Sequence, residues 1–123
     1  VWHRREGFEE MNDCIFCKII AGEIPSRKVY EDEDVYAFHD IHPFARVHFM
    51  IIPKLHIASL ADAAPEHQAL LGKILLLAPK LAQEQGLEGG FKTLINTGRG
   101  GGQEVFHLHV HVLGGRRMSW PPG

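Results

Sequence analysis

Apolar residues recur along this chain at two spacings, and the spacing switches from block to block. Asp13 can cap a short helix whose apolar positions are Phe16, Ile19 and Ile20, ended by Gly22 and Pro25. KVYE (28–31) and DVYAFHD (34–40) are rich in β-formers and flank an acidic turn, which predicts a hairpin. VHFMII (47–52) predicts a third strand, stopping at Pro53. Residues 65–86 carry a helical stripe through Leu70, Leu71, Ile74, Leu77, Ala78 and Leu81, with Pro65 suited to the first turn and Gly86 to the end. Pro79 falls inside that stripe and predicts a kink or a break, because proline lacks an amide donor and crowds the preceding turn. FKTLIN (91–96) predicts a further strand. Strands joined by short turns predict an antiparallel sheet, with one long and one short helix covering one of its faces: an α+β domain.

The last strand-like run, VFHLHVHVLG (105–114), sets His107, His109 and His111 at every second residue. On a strand they share one face at about 7 Å spacing, and Phe106, Leu108, Val110 and Val112 share the other. Burying three unpaired rings is expensive, and exposing them gains nothing structural. The pattern therefore points to joint work on one small anion or one metal ion. Gly98, Gly100, Gly101 and Gly102 lead into this run, and glycines let backbone amides close on a phosphate. A neutral imidazole can attack phosphorus and hold a nucleotidyl group covalently. Together these features predict phosphoryl or nucleotidyl transfer without a metal at the reaction centre.

Composition narrows the class. The chain has 123 residues, 45% of them hydrophobic, which fits one domain with a real core. We read 11–123 as that domain and 1–10 as a disordered extension or an expression remnant. The net charge is −2, and the longest basic runs are Arg4-Arg5 and Arg116-Arg117. That excludes a polyanion-binding surface, so no nucleic-acid partner is expected, whereas a single nucleotide fits. No apolar window approaches a membrane span and no secretory h-region is present, so no membrane partner is expected. Cys14 and Cys17 stand at a C-x2-C spacing, which with no signal peptide predicts the cytoplasm. Two such thiols with two histidines make a tetrahedral zinc set; buried free thiols and a redox pair are the other readings. His3, His42 and His67 read as surface residues.

HLHVHVL resembles the His-x-His-x-His-x-x signature of the histidine triad superfamily. GGQEVFHLHVHVLGGRRMSWPPG, FHDIHP and HFMIIPKLH together resemble its nucleoside phosphoramidase branch, HINT, in its bacterial type, and the likeness runs from about Cys14 to Gly123. The resemblance implies a HIT-like fold of about five strands, dimerising into a continuous sheet as a homodimer. It implies binding of purine nucleoside monophosphates and hydrolysis of purine nucleoside 5′-phosphoramidates, such as adenosine phosphoramidate and lysyl-AMP, through a nucleotidyl-histidine. In that reading His109 is the nucleophile, His111 and His48 lie at the phosphate, and His107 orients the nucleophile. Asp40 holds the ribose hydroxyls. Ile15, Phe16, Ile19, Phe38, His39 and Ile41 form the base pocket. Asn96, Gly102, Gln103 and Glu104 surround the phosphate, and Trp120 reaches the partner's site. No cofactor is implied for catalysis. A structural zinc is implied on Cys14, Cys17, His56 and His107.

The residues also carry plainer readings. Asp40 suits a turn before Pro43, Phe16 and Ile19 suit a core, and Asn96 suits a turn. Animal members of the branch carry Ser where this chain has Glu104; we expect that carboxylate to face the leaving group and favour a cationic amine. Two other functions fit the same motif: a dinucleoside polyphosphate hydrolase or nucleotidylyltransferase, and a non-catalytic nucleotide- or zinc-binding module.

Overall fold

The structure, a computed structural model, describes residues 13–119; the stretch 1–10, with His3, and Trp120 lie outside the described residues. The elements are α1 (Ile15–Ile20), β1 (Lys28–Glu31), β2 (Val35–His39), β3 (Val47–Pro53), α2 (Gln68–Glu84), β4 (Lys92–Leu94) and β5 (Val110–Gly114). The five strands form one sheet in the order β1-β2-β3-β5-β4, and every pairing is antiparallel. The acidic turn closes the β1–β2 hairpin as expected: Asp32 Oδ1 accepts from the amides of Asp34 and Val35 at 2.8 and 2.9 Å.

The two helices cover opposite faces of the sheet, not one. Val35, Ala37, Val47, Phe49, Ile51, Val110 and Val112 pack against Ile74, Leu77, Ala78, Leu81 and Ala82 of α2. Tyr36, Phe38, Met50 and Ile52 face the other way and pack against Phe16 and Ile19 of α1. The cause is visible in β2 and β3, which are apolar at both parities and are buried along nearly their whole length. Such strands need cover on both sides.

Three local expectations change. The cap of α1 is Cys14, whose Sγ accepts from the Cys17 amide at 3.3 Å, rather than Asp13. Helix α2 runs through Pro79 without a break. The carbonyl that Pro79 leaves without a donor belongs to Leu75, a residue on the exposed side of the helix. Third, the histidine run is not one long strand. β5 begins only at Val110, paired with Ile51, and His107 and His109 precede it. β3 ends at Pro53, which has no amide to donate, so the ladder stops and the chain from 105 to 109 lifts away. Leu108 there donates instead to Ile57 O at 2.7 Å. The 91–96 strand likewise shrinks to Lys92–Leu94.

Leu81 is fully buried beneath the sheet, whereas Leu76 on the same helix is 78% exposed. We expect Leu81→Ala to cost about 2–5 kcal/mol in urea unfolding, and Leu76→Ala in the monomer to stay within about 0.5 kcal/mol.

Candidate active site

The lifted segment and the start of β5 form a wall of histidines on the α1 side of the sheet. His111 stands across from Met50 on β3, and His48 sits two residues before Met50 on the same face. The His109 and His111 rings are 4.9 Å apart, His48 and His111 5.1 Å, and Phe16 meets His109 edge-on at 5.2 Å.

Hydrogen bonds assign the tautomers. His109 Nδ1–H donates to His107 O at 2.7 Å, which leaves His109 Nε2 with a free lone pair. His48 Nδ1 accepts from the Phe44 amide at 3.1 Å, so its proton is on Nε2. That proton goes to His111 Nδ1 at 2.9 Å, and His111 therefore carries its own proton on Nε2. One side by side pair results: a lone pair on His109 and a donor on His111. Burial pushes the His109 ring below the usual imidazole range, against the pull of the His107 carbonyl. Burial, then the neighbouring His109 and His48, pushes His111 down to about 4. Burial also lowers His48, opposed by Asp40 at 3.4 Å. At neutral pH the wall is uncharged.

In front of it lies a cleft of about 590 Å³. Ile15, Phe16 and Ile19 from α1 and Phe38 from β2 make an apolar slot at one end. His39, Asp40 and Ile41 form the rim, and Asn96, Gly102 and Glu104 close the far side beside His109 and His111. Asp40 does double duty: Oδ1 accepts from the His42 amide at 2.8 Å, as a turn aspartate does, while the half-buried carboxylate also borders the cleft. Glu104 is exposed and borders the cleft.

Gln103 is placed differently from its expected neighbours. It is buried, its Oε1 accepts from the Gly98 amide at 2.9 Å, and its Nε2 donates to Ala58 O at 2.8 Å and Val105 O at 3.0 Å. It braces the glycine loop from behind. The amides of Gly101, Gly102 and Gln103 are also spent inside that loop, on Gly98 O and Arg99 O. The loop is thus a rigid wall more than the open nest of amides that its glycines predict. Sequence reasoning missed Met50, Phe44 and Val105 as cleft residues. Met50 was accessible by period two from His48; the other two lie in irregular segments with no period to follow. His42, read as a surface residue, is exposed and borders the cleft; His67 Nδ1 accepts from the Ala64 amide at 2.9 Å.

Behind Phe16 a second constellation gathers Cys14, Cys17, His56 and His107, whose ligand atoms lie within 4.8 Å of one another. His107 Nε2–H donates to Pro53 O at 2.7 Å, so its Nδ1 lone pair faces the thiols, 3.4 Å from Cys14 Sγ and 3.5 Å from Cys17 Sγ. His56 Nδ1 is 3.3 Å from Cys17 Sγ, and its buried Nε2 has no partner among the described residues. A tetrahedral zinc with usual Zn–S and Zn–N lengths needs S···N edges of about 3.6 Å. The donor set fits zinc in type, number and spacing, and the Pro53 bond supplies the outer partner such a histidine needs. Burial, then the Cys14 thiol, pushes the Cys17 thiol up to about 12, and burial pushes His107 down to about 4. Asp40, His48 and His111 also converge. There the His48 Nε2–H already occupies the His111 Nδ1 lone pair at 2.9 Å.

Comparison with known proteins bears on the whole domain. The model of the HIT domain matches residues 21–118. Protein HitA of Neisseria gonorrhoeae is 62% identical over 104 residues, covering 85% of this chain and 97% of that protein. The 14 kDa zinc-binding protein of Zea mays is 52% identical over 111 residues, covering 89% and 87% respectively. The crystal structure of a HIT family hydrolase from Legionella pneumophila matches with a TM-score of 0.87 at 53% identity, over 89% of this chain and 99% of that one.

His111 gives the direct check on this electrostatic picture. Nitrogen NMR should find it protonated on Nε2 and still neutral as pH falls through 6.5, with its midpoint near 4. The unfolded ring takes its proton near 6.5, so acid below that value should also weaken the fold. A ring titrating at 6.5, or one protonated on Nδ1, would contradict the assignment.

Proposed function

The chain belongs to the histidine triad (HIT) family, and we propose that within it this protein hydrolyses purine nucleoside 5′-phosphoramidates through a nucleotidyl-histidine. The observation that carries the reading is the free lone pair of His109 Nε2 beside the His111 Nε2–H, at the polar end of an apolar slot. A flat purine suits the slot formed by Phe16, Phe38 and Ile19. Asp40 keeps lone pairs available for two ribose hydroxyls. The α-phosphorus then lies against His109.

The chemistry takes two displacements. His109 Nε2 attacks phosphorus while the P–N bond breaks; the amine departs with that electron pair and takes the His111 Nε2 proton, which the water of the second step returns. His109 Nδ1–H stays on the His107 carbonyl, so the positive charge that develops on the ring meets a dipole already in place. His111 Nε2–H and the Asn96 amide stabilise the phosphoryl oxygens, and His48 holds His111 in the donating tautomer. Water next attacks phosphorus, releases the nucleoside monophosphate and restores the neutral ring.

Cys14, Cys17, His56 and His107 would hold a zinc ion, whose contribution when bound is structural: it ties helix α1 to the segment that carries the nucleophile. The second copy of a homodimer would pair along β4, the sheet edge, and cover Leu75 and Leu76 on α2. The chain's own residues support both readings.

Adenosine 5′-phosphoramidate is the substrate to test. We expect His109→Ala to lose turnover by on the order of 10³-fold or more while still binding AMP, and quenched wild-type reactions to contain an adenylylated histidine. Unchanged turnover in that variant excludes the nucleophile. Metal analysis should find one zinc per chain, and Cys17→Ser should lower both metal content and melting temperature.

A further inference from the structure

The cleft does not end at His111. That ring, with Asn96 and Phe44, also lines a second cavity of about 680 Å³ on its other side. Strand register fixes how the two relate. Met50, His111 and Leu94 stand in one cross-strand row, and His48, Leu113 and Lys92 in the next, all on the same face. The apolar slot covers β2 and β3, the reacting rings cover β3 and β5, and the second cavity covers β5 and β4. A substrate lying across the sheet with its base in the slot and its phosphorus at His109 sends its leaving group into that chamber.

The chamber has its own chemistry. Among the described residues it is lined by two cations, Lys92 and Arg116, and by no carboxylate. Lys92 is diagonal to His111 across the strand pair, a Cα separation of about 7–8 Å that a lysine side chain spans. Its Nζ donates to Ser119 O at 2.9 Å. The Arg116 guanidinium donates to Phe44 O and Arg117 O, both at 3.3 Å. These acceptors are neutral carbonyls, and among the described residues neither cation forms an ion pair. No acidic partner among the described residues faces either one. Leu94, Ile95, Leu113 and Met118 supply an aliphatic lining beside them. Glu104 borders the cleft that holds His109 and His111 and is not among the residues of this chamber.

Resting on the phosphoramidase reading of the cleft, we propose that this chamber is the leaving-group subsite and selects leaving groups that join an apolar body to an anion. The class is an apolar α-amino acid linked to phosphorus through its amine, with its carboxylate free. Lys92 and Arg116 receive the carboxylate, and the aliphatic wall receives the side chain. A nucleoside polyphosphate also departs as an anion, but it brings no hydrocarbon to meet that wall.

The test uses the full chain and four probes: the adenosine 5′-phosphoramidates of phenylalanine, phenylalaninamide and 1,4-diaminobutane, and diadenosine tetraphosphate. The readout is the ratio of kcat/KM for phenylalanine over phenylalaninamide, compared between wild type and variants so that amine basicity cancels. We expect Lys92→Gln and Arg116→Gln each to lower that ratio about tenfold, chiefly through KM, and Lys92→Arg to retain it. The diaminobutane adduct should be the poorest phosphoramidate. Equal ratios in wild type and both glutamine variants, with good turnover throughout, overturn the subsite and leave the phosphoramidase reading standing. Preference for the diaminobutane adduct overturns the anion selection in the same way. Cleavage of diadenosine tetraphosphate with no phosphoramidate turned over overturns the reading of the cleft itself.

Discussion

The architecture of the site turns on one absent proton. β3 ends at Pro53, whose nitrogen cannot donate, so the ladder with the histidine segment ends there. The freed Pro53 carbonyl is then available to the His107 ring, which takes it at 2.7 Å. That bond turns the other nitrogen of His107 toward the two thiols. The His107 carbonyl, no longer in a ladder, is free to hold His109 by Nδ1. The lone pair on His109 Nε2 thus sits one bond away from a ring that the Pro53 carbonyl anchors.

A second chain of bonds prepares the other ring. The Phe44 amide fixes His48, His48 fixes His111, and no charge is involved at any link. Burial keeps all of these imidazoles neutral at physiological pH. A wall of neutral rings can approach an anionic phosphate with a lone pair, yet still present a donor to its oxygens. A cationic wall would bind the anion more strongly and leave no nucleophile. The family-level comparisons identify the chain as a HIT-domain protein.

Much of this was legible in the residues. The strands 28–31 and 47–52 and the long helix follow directly from spacing, and the antiparallel sheet follows from short turns. Period two also brought His109 and His111 to one face. The opposite placement of the two helices was encoded too, in the apolar residues at both parities of β2 and β3, but short buried strands do not announce which helix covers which face. The early end of the histidine strand was less accessible, since it depends on a proline in its partner. Gln103 shows the sharper limit. A glutamine after three glycines suits a phosphate contact or a brace equally well, and only the positions of Gly98, Ala58 and Val105 decide between them. The residues facing the second chamber come from β3, β4, β5 and the segments around them, and no local motif joins them.

Helix α1 spans six residues, too few to persist alone in water. Its shape is borrowed from its anchors: the Cys14 cap, the packing of Phe16 and Ile19, and the sheet beneath. Amide exchange should therefore run unevenly across the molecule, with α1 opening in excursions that leave the α2 layer intact. Each excursion dismantles the Phe16 and Ile19 side of the cleft, so the shape of that cleft depends on the breathing of a single helical turn and a half.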